Sequence, residues 1–132
     1  YTYKGDCPGL GMFRGVDVEG LPKAGPYSHA VVANGFVFVS GQLGTVQGKD
    51  LTFEEQFRNA VEKIGKILNA AGSSLSNVVK VTVYLADAKY FSDMNRLFQE
   101  YFPHRPARTT VVTGMIDPKA LVEVDVIAVV KA

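Results

Sequence analysis

Two charged residues stand where charge is costly. Arg108 heads the β-branched run "RTTVV", and Pro106 stiffens the approach to it. A guanidinium stays charged at any working pH, and its fork matches a carboxylate through two parallel hydrogen bonds. It either clamps a carboxylate ligand or closes a salt bridge at a strand end. Glu123 lies inside the apolar run "LVEVDVIAVV", where a carboxylate needs a partner or a task. Burial there would raise its pKa and make it a proton carrier near neutrality. The other readings are a partner for Arg108 and an edge charge against aggregation. Asp125, on the same strand face, reads as rim or structural.

Hydroxyls, amides and a glycine could complete such a site. In Ser40-Gly41-Gln42 the glycine lets backbone approach a ligand and the serine can hydrogen-bond one; a plain strand-ending turn is the alternative. Tyr27 offers a hydroxyl to a pocket or packs. Asn95 sits beside an apolar helical stripe, at its edge or aimed at a site. Arg105 and His104 read as solvated loop residues. The two histidines are far apart and lack ligand-spaced neighbours, so no metal motif is present. Ser28 and His29 would point opposite ways in an extended stretch and make no catalytic pair. "GLGMFRG" is not a dinucleotide fingerprint, and Cys7 is an unpromising nucleophile.

These residues must be positioned by an α+β arrangement. Two apolar runs between His29 and Gln42 flank Asn34-Gly35, which predicts a hairpin with a type I′ turn. Phe53, Phe57, Val61, Ile64 and Leu68 fall three or four apart and predict a helix over 52–72, with a Thr52/Glu55 capping box and Gly72 past its end. Strands are expected over 77–86, 109–113 and 122–130, and a second helix from Tyr90 to Tyr101, ending before Pro103. Residues 1–21 read as an irregular segment, with at most a short strand near Arg14–Val18. The order is β-β-α-β-α-β-β: one domain, a mixed sheet with two helices on one face. Two strands are apolar on both faces while helices cover one, so the second face requires another copy, and a homo-oligomer is expected.

Bulk properties narrow the classes. The chain has 132 residues, 47% apolar and 20% charged, enough for a buried core. A net charge of +1 disfavours broad nucleic-acid binding by a basic surface. A single cysteine permits no internal disulfide and fits a reducing compartment. Apolar runs are strand-sized, far short of a membrane span. The chain begins at Tyr1 rather than Met, which leaves room for a trimmed start or targeting piece.

Taken together, "GPYSHA", "VFVSGQ", "NVVKVTVYLAD", "MNRLFQEYF", "PARTTV" and "VEVDVIAVV" resemble the RidA family, also called YjgF or L-PSP, over roughly Pro22 to Lys131. The resemblance implies a chorismate-mutase-like α+β fold spanning 1–132 and a homotrimer with clefts between subunits. It implies an imine deaminase, a hydrolase acting on C=N bonds. Reactive 2-imino acids such as 2-iminobutanoate and 2-iminopropanoate, or their enamine tautomers, would go to 2-keto acids and ammonia without cofactor or metal. By position, Arg108 matches the family's carboxylate clamp and Glu123 the glutamate that activates water. Tyr27, Ser40, Gly41 and Asn95 match the pocket, and Thr110 stands where relatives often carry Cys. Cytosol and mitochondrial matrix both fit. Two other readings stay open: a non-catalytic trimer that binds a small carboxylate, and, ranked last for want of paired His or a basic aromatic stripe, a ribonuclease or translation inhibitor.

Overall fold

The computed structural model of this chain describes residues 2–7 and 11–131, with side chains from residue 13 onward. Seven strands form one mixed sheet: β1 (Thr2–Cys7), β2 (Gly11–Val16), β3 (Ala30–Ala33), β4 (Phe36–Leu43), β5 (Val78–Leu85), β6 (Ala107–Val112) and β7 (Val122–Val129). Their order in space is β1-β2-β3-β4-β7-β5-β6. All pairs are antiparallel except β5–β6, a parallel pair whose crossover carries helix α2 (Phe91–Tyr101). Helix α1 (Phe53–Ala70) connects β4 to β5.

The punctuation follows local chemistry. Asn34 and Gly35 take φ of 50° and 79°, the left-handed pair a type I′ turn needs. Thr52 and Glu55 cap α1 reciprocally. At its other end Gly72, at φ 84°, donates to Asn69 O while Ser73 donates to Leu68 O, a Schellman closure. A 3₁₀ turn over Ala88–Tyr90 precedes α2, held by the Asp87 carboxylate accepting from Lys89 N at 2.8 Å. Phe102 N still bonds Phe98 O; Pro103 has no N–H to continue the helix.

The N-terminal expectation is corrected. Thr2–Cys7 and Gly11–Val16 are not irregular: β1 and β2 pair from Thr2↔Val16 to Cys7↔Gly11, and β2 pairs with β3. Gly5, Gly11 and Gly15 weaken the local strand signal, so pairing along the β3 edge, and not composition, orders the segment. Pro8 to Leu10, part of the loop expected there, lie outside the described residues.

Both helices lie on one face of the sheet. Val37, Val39, Val81, Val83, Leu85, Val122, Val124 and Val126 bury there against Phe57, Ile64, Leu68, Met94 and Leu97. The other face remains apolar and open: Phe36 is 42% and Phe38 45% exposed, with Val79 and Val111 also exposed.

Candidate active site

Strand parity divides the candidate residues between two faces. β6 runs parallel to β5 with Arg108 beside Val81 and Thr110 beside Val83, so both belong to the helix-covered face. Glu123 alternates with buried Val122 and Val124 and pairs with Tyr84, so it belongs to the open face. β5 separates the two strands. Within one protomer Arg108 and Glu123 are therefore neither on adjacent strands nor on one face. The salt bridge between them, one of the readings open from sequence, does not form.

Arg108 is held by α2. Its guanidinium lies 4.8 Å from the Phe98 ring centre and 5.7 Å from that of Phe91, and Nη1 is 3.5 Å from Met94 Sδ. Arg58 and Arg96 are paired with Glu54, Glu100 and Asp93, but Arg108 has no ion pair among the described residues. Partial burial pulls its pKa below the usual guanidinium value, the signature of a cation with no compensating anion. A cavity of about 830 Å³ opens beside it, lined also by Asn95, Phe98, Gln99, Phe102 and Arg105. Asn95 is thus aimed into a cavity and is not merely the border of the stripe. Thr110 Oγ1 is buried with no hydrogen-bond partner among the described residues.

The acid side is built around a bulge. β4 pairs with β7 from Phe36↔Val129 to Val39↔Val126, slips, and resumes at Gln42↔Val124 and Leu43↔Glu123. The slip brings Gly41 against the Glu123 carboxylate so closely that a side-chain carbon at position 41 would run into Oε2. Burial, and then the neighbouring Asp125 charge, raise the Glu123 pKa above the ordinary glutamate value. Asp125 itself accepts from Tyr84 Oη at 2.8 Å, the structural role expected of it. Ser40 Oγ donates to Ser28 O at 2.7 Å and its N–H to His29 O at 2.9 Å, closing the entry loop on β4. Tyr27, 44% exposed, takes Ala24 N–H on its hydroxyl and shares a cavity of about 240 Å³ with Gly41, Gln42, Leu43 and Lys63.

Several residues that position these groups escape a reading of the sequence. His29 is fully buried; its Nδ1 accepts Val18 N–H at 2.8 Å, while Asp17 accepts both His29 N–H and the Lys23 ammonium, and together they pin the loop that carries Tyr27. Gln56, inside the apolar stripe of α1, donates to Leu51 O and Lys119 O and accepts from Leu121 N, two residues before Glu123. Asn59 and Lys63 donate to Gly44 O and Leu43 O, tying α1 to the segment after the bulge, and burial lowers the Lys63 pKa. Gln56, Asn59 and Lys63 stand three and four places apart on α1, a polar spacing that could have found them; His29 lies outside the helices and carries no such signal.

Comparison with known proteins follows the same outline. The family model of endoribonuclease L-PSP matches residues 19–130. The chain is 40% identical over 119 residues to Reactive Intermediate Deaminase A, chloroplastic, of Arabidopsis thaliana, covering 86% of this chain and 64% of that one. It is 39% identical over 122 residues to a RutC family protein of Aquifex aeolicus, covering 82% and 94%. The crystal structure of yeast Mmf1 superposes with a TM-score of 0.81 at 36% identity, over 90% of this chain and 99% of that one. Mmf1 of Saccharomyces cerevisiae is named as mitochondrial. A model match over most of the chain, relatives of this identity and a shared fold along its length place it without ambiguity: the chain belongs to the RidA (YjgF/L-PSP) family.

Proposed function

We propose that this protein is an imine deaminase that hydrolyses small 2-imino acids such as 2-iminobutanoate and 2-iminopropanoate. The observation that carries the reading is Arg108, a partly buried guanidinium stacked on aromatic rings, with an open cavity before it and no anion of its own. A 2-imino acid brings a carboxylate to that fork and sets its C=N carbon at a fixed place. Glu123, its pKa raised by burial, takes a proton from water as the oxygen bonds to the imine carbon and the C=N π pair moves to nitrogen, and it then gives that proton to the nitrogen. The resulting carbinolamine expels ammonia as its oxygen becomes the ketone of the 2-keto acid. Free imines already hydrolyse in water, so orientation and one proton carrier suffice. An enamine enters after tautomerising to the imine.

Because the two groups face opposite sides of one sheet, the reading requires that Arg108 of one protomer meet Glu123 of another, in a homotrimer with sites between subunits. The exposed Phe36, Phe38, Val79 and Val111 support a second copy on the open face. Relatives named for mitochondria and chloroplast support a site of action where amino-acid metabolism releases imines, cytosol or mitochondrial matrix here.

The test generates the imine with an amino acid oxidase and traps the remainder with semicarbazide. Wild-type protein should suppress semicarbazone formation, and Arg108→Ala should lower kcat/KM about a hundredfold or more, since a lost partner of a desolvated charge costs ~2–5 kcal/mol. Wild-type activity in Arg108→Ala rejects the clamp. Glu123→Gln that keeps keto-acid binding but loses turnover separates an enzyme from a trimer that only binds small carboxylates.

A further inference from the structure

We propose that Arg105 forms a second anion subsite beside Arg108, and that the cavity prefers 2-imino acids bearing a second carboxylate. The inference rests on the proposed imine chemistry and names its substrate class. Arg105 is an exposed loop residue, as the sequence predicts, and it also stands on the wall of the Arg108 cavity. Its backbone is unusual. Arg105 sits at φ 59°, in the left-handed region where glycine or asparagine fits best, and one residue before Pro106, which itself disfavours the right-handed helical conformation. Arg105 N–H closes on Phe102 O at 3.1 Å, so the turn out of α2 fixes the backbone that carries this side chain. A long cationic residue kept where the backbone favours a small one is the pattern of a functional position.

The surroundings give the charge a purpose. Like Arg108, Arg105 has no ion pair among the described residues, whereas Arg58 and Arg96 of the neighbouring helix surfaces are both engaged by carboxylates. The cavity wall carries these two guanidiniums and the amides of Asn95 and Gln99, one helical turn apart, and no acid. Within this chain both cations line one cavity, and a substrate whose single carboxylate binds Arg108 leaves Arg105 without an anion. Arg105 and Arg108 are three residues apart, at most about 10 Å between Cα atoms, and both line the cavity. A four- or five-carbon dicarboxylate spans what is left between the two forks.

The test compares substrates of equal length. Imines of glutamate and of norvaline, five carbons each, differ in a terminal carboxylate against a methyl group. Wild-type protein should prefer the glutamate imine in kcat/KM, and Arg105→Gln should reduce that preference about tenfold. Adding 0.5 M salt should erode the preference in wild type more than in the variant. In parallel, titration of 2-oxoglutarate against 2-oxopentanoate by calorimetry reads the same subsite without turnover. If no imine is hydrolysed, the deaminase reading falls, and the calorimetric preference and its loss in Arg105→Gln still decide the subsite. Equal binding of the two keto acids, or a preference that Arg105→Gln leaves intact, overturns the inference.

Discussion

Arg108 and Glu123 are held in place in different ways. The cation half of the site comes from one stretch of chain: α2 supplies Phe91, Met94, Asn95 and Phe98, and β6, which follows it, supplies Arg108. Its grip is aromatic and local. The acid half is gathered from three distant places, the entry loop at Tyr27, the β4 bulge at Gly41 and the centre of β7 at Glu123, and is secured by backbone register and by side chains of α1. Each half is chemically incomplete. A guanidinium without an anion can hold a substrate but move no proton; a carboxylate of raised pKa can move a proton but repels a substrate carboxylate. The contrast teaches that one copy of this fold presents a lone cation and a partly buried carboxylate on opposite faces of its sheet.

The sharpest way to break that comparison is to divide it between chains. Arg108→Ala and Glu123→Gln should each be inactive. If halves from different copies meet in a trimer, unfolding and refolding the two variants together should restore about a quarter of wild-type activity, because about one interface in four then receives both intact groups. No recovery would mean that both groups act within one chain, or that the assignment of roles is wrong.

A smaller effect is expected at the bulge. Gly41→Ala puts a methyl where the Glu123 carboxylate lies, so kcat should fall about a hundredfold, the usual scale of a displaced proton carrier. Binding of 2-oxobutanoate, which depends on Arg108, should change little, and calorimetry measures it. Comparable losses in binding and turnover would show that the two halves are not separable.

The smallest effect is a shift in pH. Activity needs Glu123 ionised, so its acid limb should lie above the ordinary glutamate value of about 4.3. Burial is the larger cause and the Asp125 charge the second. Asp125→Asn should therefore move the limb to lower pH without returning it fully. Stability carries the matching sign: a carboxyl whose pKa is raised in the fold favours folding at acid pH and loses that contribution as pH rises through its folded pKa. Glu123→Gln should accordingly be the more stable protein at neutral pH, with the difference fading below the ordinary glutamate range.

Much of the fold was legible because its signals are local. Asn34-Gly35, the Thr52/Glu55 box, Gly72 and the two apolar stripes each act within a few residues, and each element lies where they indicate. The exposed apolar face was legible in the double-sided apolar strands. What stayed hidden depends on partners far along the chain. The N-terminal hairpin is ordered by the β3 edge, which no local pattern announces. The separation of Arg108 from Glu123 follows from β7 entering between β4 and β5, a matter of sheet order on which strand propensity is silent. The closeness of Gly41 to Glu123 depends on a one-residue slip in register, and the role of Gln56 on three partners, two of them more than sixty residues away. Residue chemistry picks out Arg108, Glu123, Tyr27, Ser40, Gly41 and Asn95 as candidates but leaves the alternatives open; their roles, and Thr110, come from family resemblance.

The place of β7 has a consequence for how the molecule is made. It follows the other six described strands in sequence, yet it sits in the interior of the sheet, with β4 on one side and β5 on the other. Until it enters, the earlier strands can form only two separate ribbons, β1 to β4 and β5 with β6, joined by α1 with its apolar stripe uncovered. The cation half can form in that interval, since its parts are close in sequence and such loops close fastest. The acid half cannot. A growing chain therefore sets Arg108 against α2 before Glu123 can meet Gly41, and one continuous sheet arrives only with the strand that joins the ribbons.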